Sequence, residues 1–228
     1  MYKIIIRGLL GVLKLPVALL AVFILPPLAL RTYSAALESF DGENWIFWVS
    51  VGLAFLLGWT VVLRWSVTRF LLILEHEMIH VLLAWLTGLK VERLEVNHKQ
   101  DGGLAMIEAP ANWLVALGPY FVPLALFLYA FVVHALPVGA EGLEIAMGAI
   151  LGYELAANMR ELHPRQTDFG AAGWWFTCMF LPSAILLMYG GAFHYALTGD
   201  LLGGWTYIWN AALGSFAQSW DFVVAYMA

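Results

Sequence analysis

Hydrophobic positions along this chain come in long unbroken blocks, without the short alternation or one-sided helical striping of a water-soluble domain. Apolar runs cover residues near 8–30, 45–63, 67–87, 112–136, 140–157 and 171–197. About 20 residues of helix cross a hydrocarbon core about 30 Å thick, so each run predicts a membrane span. A seventh run, at 203–228, is weaker: it is rich in Trp and Tyr and carries Asp221. Aromatic rings favour the headgroup zone, so residues 204–226 are expected either to span or to lie along it.

Between the third and fourth runs the pattern changes. Residues 91–97 mix apolar and charged positions as a strand does, QDGG at 100–103 is a turn signal, and LAMIEA follows as a return strand. A β-hairpin is expected, with Asp101, Gly102 and Gly103 as turn formers. The predicted fold class is therefore an all-α polytopic membrane protein of six or seven transmembrane helices, with a short β-hairpin after the third. No internal repeat or low-complexity linker divides the chain, so residues 1–228 are read as a single integral membrane domain. The gaps between runs stay under about 25 residues, too short for a separate regulatory module. The basic, apolar N-terminus shares features with a signal peptide, but its run is long and further runs follow. It is expected to be a retained first span, with cleavage near residues 34–36 as the minor alternative.

Composition agrees with the pattern. The 228 residues are 62% hydrophobic and 12% charged, with a mean hydropathy of +0.81, against roughly 45–50% and about 25% in soluble domains. The net charge of −5 and the absence of any basic run exclude a nucleic-acid partner as an expectation. A lone cysteine, Cys178, rules out an intramolecular disulfide and a thiolate zinc cluster, and is expected to be a small buried hydrophobe. Lys and Arg divide almost evenly between the two sides of an alternating topology, leaving orientation undecided.

One block contradicts its surroundings. LLILEHEMIHVLLAWLTG, residues 71–88, places two histidines and two glutamates within an apolar helix. Ionisable groups at membrane depth are costly and mark function. His76, Glu77 and His80 form H-E-x-x-H, and four residues is a little over one helical turn, so both imidazoles share a face and can share an ion. Glu77, one position on, can reach a water on that ion without ligating it. Zinc held this way brings the pKa of water toward about 7 and a carboxylate removes the proton.

A catalytic zinc site takes three protein ligands. The polar candidates for the third are Glu75, His134, Glu154, Asn158, His163, Asp168 and His194. Glu75 points about 100° away from His76 around the helix, while His134 and His194 fall near span ends. The densest group is YELAANMRELHPRQTDFGAAG, where a polar, Pro-containing break separates two apolar runs. Irregular chain at membrane depth is tolerated where it lines a cavity.

HEMIH in an apolar helix, a hairpin after it, ALGPY in the next run and a late Asn, Pro, Asp and Gly cluster together resemble the site-2 proteases, the intramembrane zinc metalloproteases of peptidase family M50, in their M50B-like branch. The likeness covers about residues 67–185. It implies that His76, His80 and Asp168 bind Zn2+ and that Glu77 is the catalytic base. It also implies a membrane-protein or peptide substrate cut in or beside the lipid bilayer, a multi-pass location in a prokaryotic cell membrane, and a regulatory membrane partner or a homo-oligomer as further associations. In TDFG, Thr167 stands where the family has Leu, and Phe169 separates Asp168 from Gly170; His163 is the rival ligand, and an N-cap is the structural alternative for Asp168. A metal-binding membrane protein or transporter, and a catalytically inactive protease-like scaffold, are the other readings of the same residues.

Overall fold

The computed structural model describes residues 2–40, 42, 44–61, 64–97, 102–107, 112–135, 140–200 and 202–206, with short pieces at 209–210, 213–214 and 217. Its elements are α1 (Tyr2–Glu38), α2 (Trp45–Thr60), α3 (Ser66–Leu86), β1 (Val91–Asn97), β2 (Gly102–Ile107), α4 (Trp113–Leu117), α5 (Leu124–Ala135), α6 (Ala140–Glu161), α7 (Thr167–Ala172) and α8 (Trp174–Thr198). The molecule is mostly helical, with one two-stranded sheet.

By length and composition, Gly8–Glu38 in α1 and Trp174–Thr198 in α8 are able to cross a membrane. Trp113–Tyr120 and Leu124–Val133 pass the same test as a pair, bent by 73°. Among the described residues there are thus two or three candidate spans by length and composition, where the hydropathy blocks predict six or seven. The difference has a physical source: α2 has 16 residues, about 24 Å at 1.5 Å per residue, and α3 and α6 carry ionisable side chains in their interiors. The 204–226 segment lies largely outside the described residues.

The outer faces of α1 and α2 expose Leu9, Val12, Phe23, Leu30, Leu53 and Leu56. Such a surface is an aggregation hazard in water and a match for lipid. Cys178 also faces outward on α8, correcting the buried position expected of it; in a helix apolar all round, a small thiol is compatible with a lipid-facing site as well as with a core.

Helix α2 packs along α6 and α1 along α8. Small residues set the first contact: a Cβ on Gly148 would stand 2.6 Å from the Phe47 carbonyl oxygen, and one on Gly58 3.2 Å from Ala156. Backbones approach closely where no side chain intervenes. A second core gathers Ala18, Leu117, Tyr120, Phe121, Phe169, Ala172 and Phe176, joining α1, α4, α7 and α8. It seats α7, the short helix that follows the polar break.

The hairpin forms as expected, but its glycines do not lie in the turn. β1 and β2 pair antiparallel with Val96 opposite Gly103 and Asn97 opposite Gly102; residues 98–101, including Asp101, lie outside the described residues. The sheet rests on α3. Gly103 is needed for this approach, because a Cβ there would stand 2.5 Å from Glu77 Cγ and 2.6 Å from Ile73 Cγ2. A glycine in a strand thus marks close packing, a use that local turn chemistry does not distinguish from a turn.

Candidate metal centre

Helix α3 presents His76 and His80 from successive turns, with ring centroids 4.9 Å apart. The Val115 carbonyl, on α4, lies 2.8 Å from His80 Nδ1. A carbonyl only accepts, so Nδ1 carries a proton, which leaves Nε2 as the ring atom available to a metal once it is deprotonated. His76 Nδ1 lies 3.8 Å from Glu161 Oε2 at the end of α6, and Gln166 Nε2 donates to that same oxygen at 3.0 Å. Carboxylate and carbonyl partners of this kind orient imidazoles that bind metals.

Both Nε2 atoms face Asp168. Its Oδ2 is 3.4 Å from His76 Nε2 and 3.6 Å from His80 Nε2, and His76, His80 and Asp168 each offer one ligand atom within 4.8 Å of the others. Asp168 sits in the first turn of α7, after an N-cap at Gln166; it is therefore not the cap. Tyr120 Oη donates to Asp168 Oδ2 at 2.8 Å. Burial acts to raise the Asp168 carboxyl, but the facing His76 and His80 imidazoles and the Tyr120 hydroxyl outweigh it and hold the group well below the ordinary carboxylate value.

The donor set fits zinc. Two imidazoles and a carboxylate are a familiar catalytic combination, and bonds of about 2.0–2.1 Å in a tetrahedron put ligand atoms roughly 3.3 Å apart, close to the 3.4 and 3.6 Å seen between these nitrogens and oxygen. Glu77 stands beside the group, buried, with its side chain close against Gly103 in β2. A cavity of about 560 Å³ opens over these residues, lined also by Gly103, Ala105, Ala116 and Ala171.

The other polar candidates go elsewhere. His163 is exposed at the cavity rim, where its Nδ1 accepts from the Arg165 amide at 3.1 Å. Glu75 and Glu154 both accept from the Ala125 amide, at 3.1 and 2.9 Å, and Asn158 donates to the Tyr120 carbonyl at 2.6 Å. These three side chains satisfy the backbone where the chain breaks between Tyr120 and Leu124. His194 lies near the end of α8, and the His134 side chain is outside the described residues.

A family model described as Peptidase M50B-like matches residues 48–218. The chain belongs to this family. No curated protein and no solved structure matches it. Membership of the M50B-like family, together with the apolar helices, points to a membrane protease. The matched region takes in every side chain of the cluster, from α3 through α7.

Tyr120 and Glu161 were not singled out by sequence reasoning. Tyr120 ends the ALGPY motif and Glu161 lies inside the densest polar segment, so each had a local signal without one that assigned a partner. Gly103→Ala is expected to displace the Glu77 carboxylate and, in the proteolytic reading proposed below, to lower kcat about 100-fold with metal content unchanged. The ratio of activity to bound metal in the purified variant measures this.

Proposed function

We propose that the chain is a single integral membrane domain acting as an intramembrane zinc metalloprotease, with His76, His80 and Asp168 holding the ion and Glu77 as general base. The observation that carries this reading is the convergence of two imidazole Nε2 atoms on one carboxylate oxygen, at 3.4 and 3.6 Å, beside a buried glutamate, in a chain of the M50B-like family. In this reading α2, α3 and α6 cross the bilayer too, six or seven spans in all, with their polar side chains turned to the cavity and away from lipid.

Zinc, when bound, supplies Lewis acidity toward a peptide carbonyl and acidifies water. The chain's own residues do the rest. Glu77 removes a proton from the attacking water and delivers it to the departing amine, its side chain held by close packing against Gly103. His80 keeps its Nδ1 proton on Val115, and Glu161 fixes the His76 ring from behind. The cavity walls at Ala105, Ala116 and Ala171 leave room for a polypeptide backbone.

The substrate is a membrane protein or peptide whose helix unwinds near the site. Among the described residues the sheet has only β1 and β2, and β2 borders the cavity through Gly103, Leu104, Ala105 and Ile107. An extended substrate segment pairs with that strand by backbone hydrogen bonds. Substrate choice then rests on the hairpin and helices, or on a membrane partner or second copy.

The test is metal content and cleavage on the same detergent-purified preparation. About one zinc per chain is expected, with cleavage of a membrane-spanning model peptide that a chelator stops and zinc restores. Zinc without cleavage would favour a metal-binding protein. No metal after zinc is supplied would end the protease reading.

A further inference from the structure

The break between Tyr120 and Leu124 does more than interrupt a helix. Tyr120 is fully buried, stacks edge-on to His76 with centroids 5.3 Å apart, and packs on Phe169 at 4.6 Å. Its hydroxyl donates to Asp168 Oδ2 and its carbonyl accepts from Asn158 Nδ2. The same Nδ2 reaches Tyr189 Oη on α8 at 3.1 Å. Three helices are thus tied, through one tyrosine, to the oxygen that faces both histidines.

Asn158 does not face the reacting centre. It lines a small cavity behind His76 with Glu75, Glu154 and Tyr189, and is not among the residues lining the cavity that holds Glu77. Its Oδ1 is buried and has no hydrogen-bond partner among the described residues.

We propose that Asn158 and Tyr120 form a positioning relay for the third ligand. Asn158 pins the Tyr120 backbone, and the Tyr120 hydroxyl occupies one lone pair of Asp168 Oδ2, turning the other toward the two imidazoles. Neither residue touches the ion. The relay rests on the metal-site reading above and adds to it how Asp168, on a helix of six residues, is kept from rotating away.

The full-length detergent-purified chain tests this in three ways: zinc affinity by competition with a chromophoric chelator, the visible spectrum of the Co2+-loaded protein, and the unfolding midpoint of metal-free protein. Tyr120→Phe is expected to weaken zinc binding about 10–100-fold and to shift the Co2+ bands, with the metal-free midpoint close to wild type. Asn158→Ala should weaken zinc in the same direction by a smaller factor, and the double variant should lose no more than Tyr120→Phe alone, because both changes cut one path. Wild-type affinity and spectrum in Tyr120→Phe would overturn the relay and leave the metal site standing. Additive losses would overturn the role of Asn158. Failure of the wild type to bind either ion would remove the site and the relay together.

Discussion

Glu77→Gln keeps its zinc and loses its chemistry. Gln has nearly the shape of Glu and fits the same close packing against Gly103. Glu77 lies outside the group of three that can hold an ion, so metal content should match wild type. What disappears is the ability to take a proton from water. General base catalysis contributes about 10²–10⁴-fold, and cleavage of a membrane-spanning peptide is expected to fall by that factor. Elemental mass spectrometry and an end-point cleavage assay on one preparation separate the outcomes. Full activity in Glu77→Gln would remove Glu77 as the base, and loss of metal would make it a ligand.

Asp168→Ala should have the largest effect on the metal. The Asp168 carboxylate is the acidic oxygen that meets both Nε2 atoms, and its loss leaves two ligands on one helix face. Zinc affinity should drop well beyond the 10–100-fold typical of an outer partner. His163→Ala is the control. His163 lies nearby in sequence and at the cavity rim, yet it is exposed and its Nδ1 is engaged by the Arg165 amide. That variant should retain its zinc through a chelator wash that strips Asp168→Ala. Equal losses would return the third position to His163.

Parts of this architecture were readable before any coordinates. The apolar blocks announced a membrane protein because burying side chains in lipid needs a run of sequence, which is visible locally. They do not by themselves fix the number of spans, because a block does not reveal that α2 is short or that the 112–136 run bends at Tyr120–Leu124. The hairpin was legible from alternation and glycines. The task of Gly103 was not, since its close neighbours Glu77 and Ile73 belong to another element.

H-E-x-x-H determined that His76 and His80 share a face and that Glu77 stands beside them, because helical periodicity alone dictates those directions. The sequence also established the apolar character of the chain and placed the densest group of third-ligand candidates, Glu154, Asn158, His163 and Asp168, in one polar break. Only the tertiary structure decided which of them meets the histidines. Asp168 arrives because the second core seats α7 against Tyr120, while His163 stays at the rim. The partners of His76, His80 and Asp168, namely Glu161 at the end of α6 and Val115 and Tyr120 on the 113–120 segment, come from two segments other than α3 and α7. No spacing encodes them; they follow from packing between helices far apart in the chain, where distance in space is free of distance in sequence.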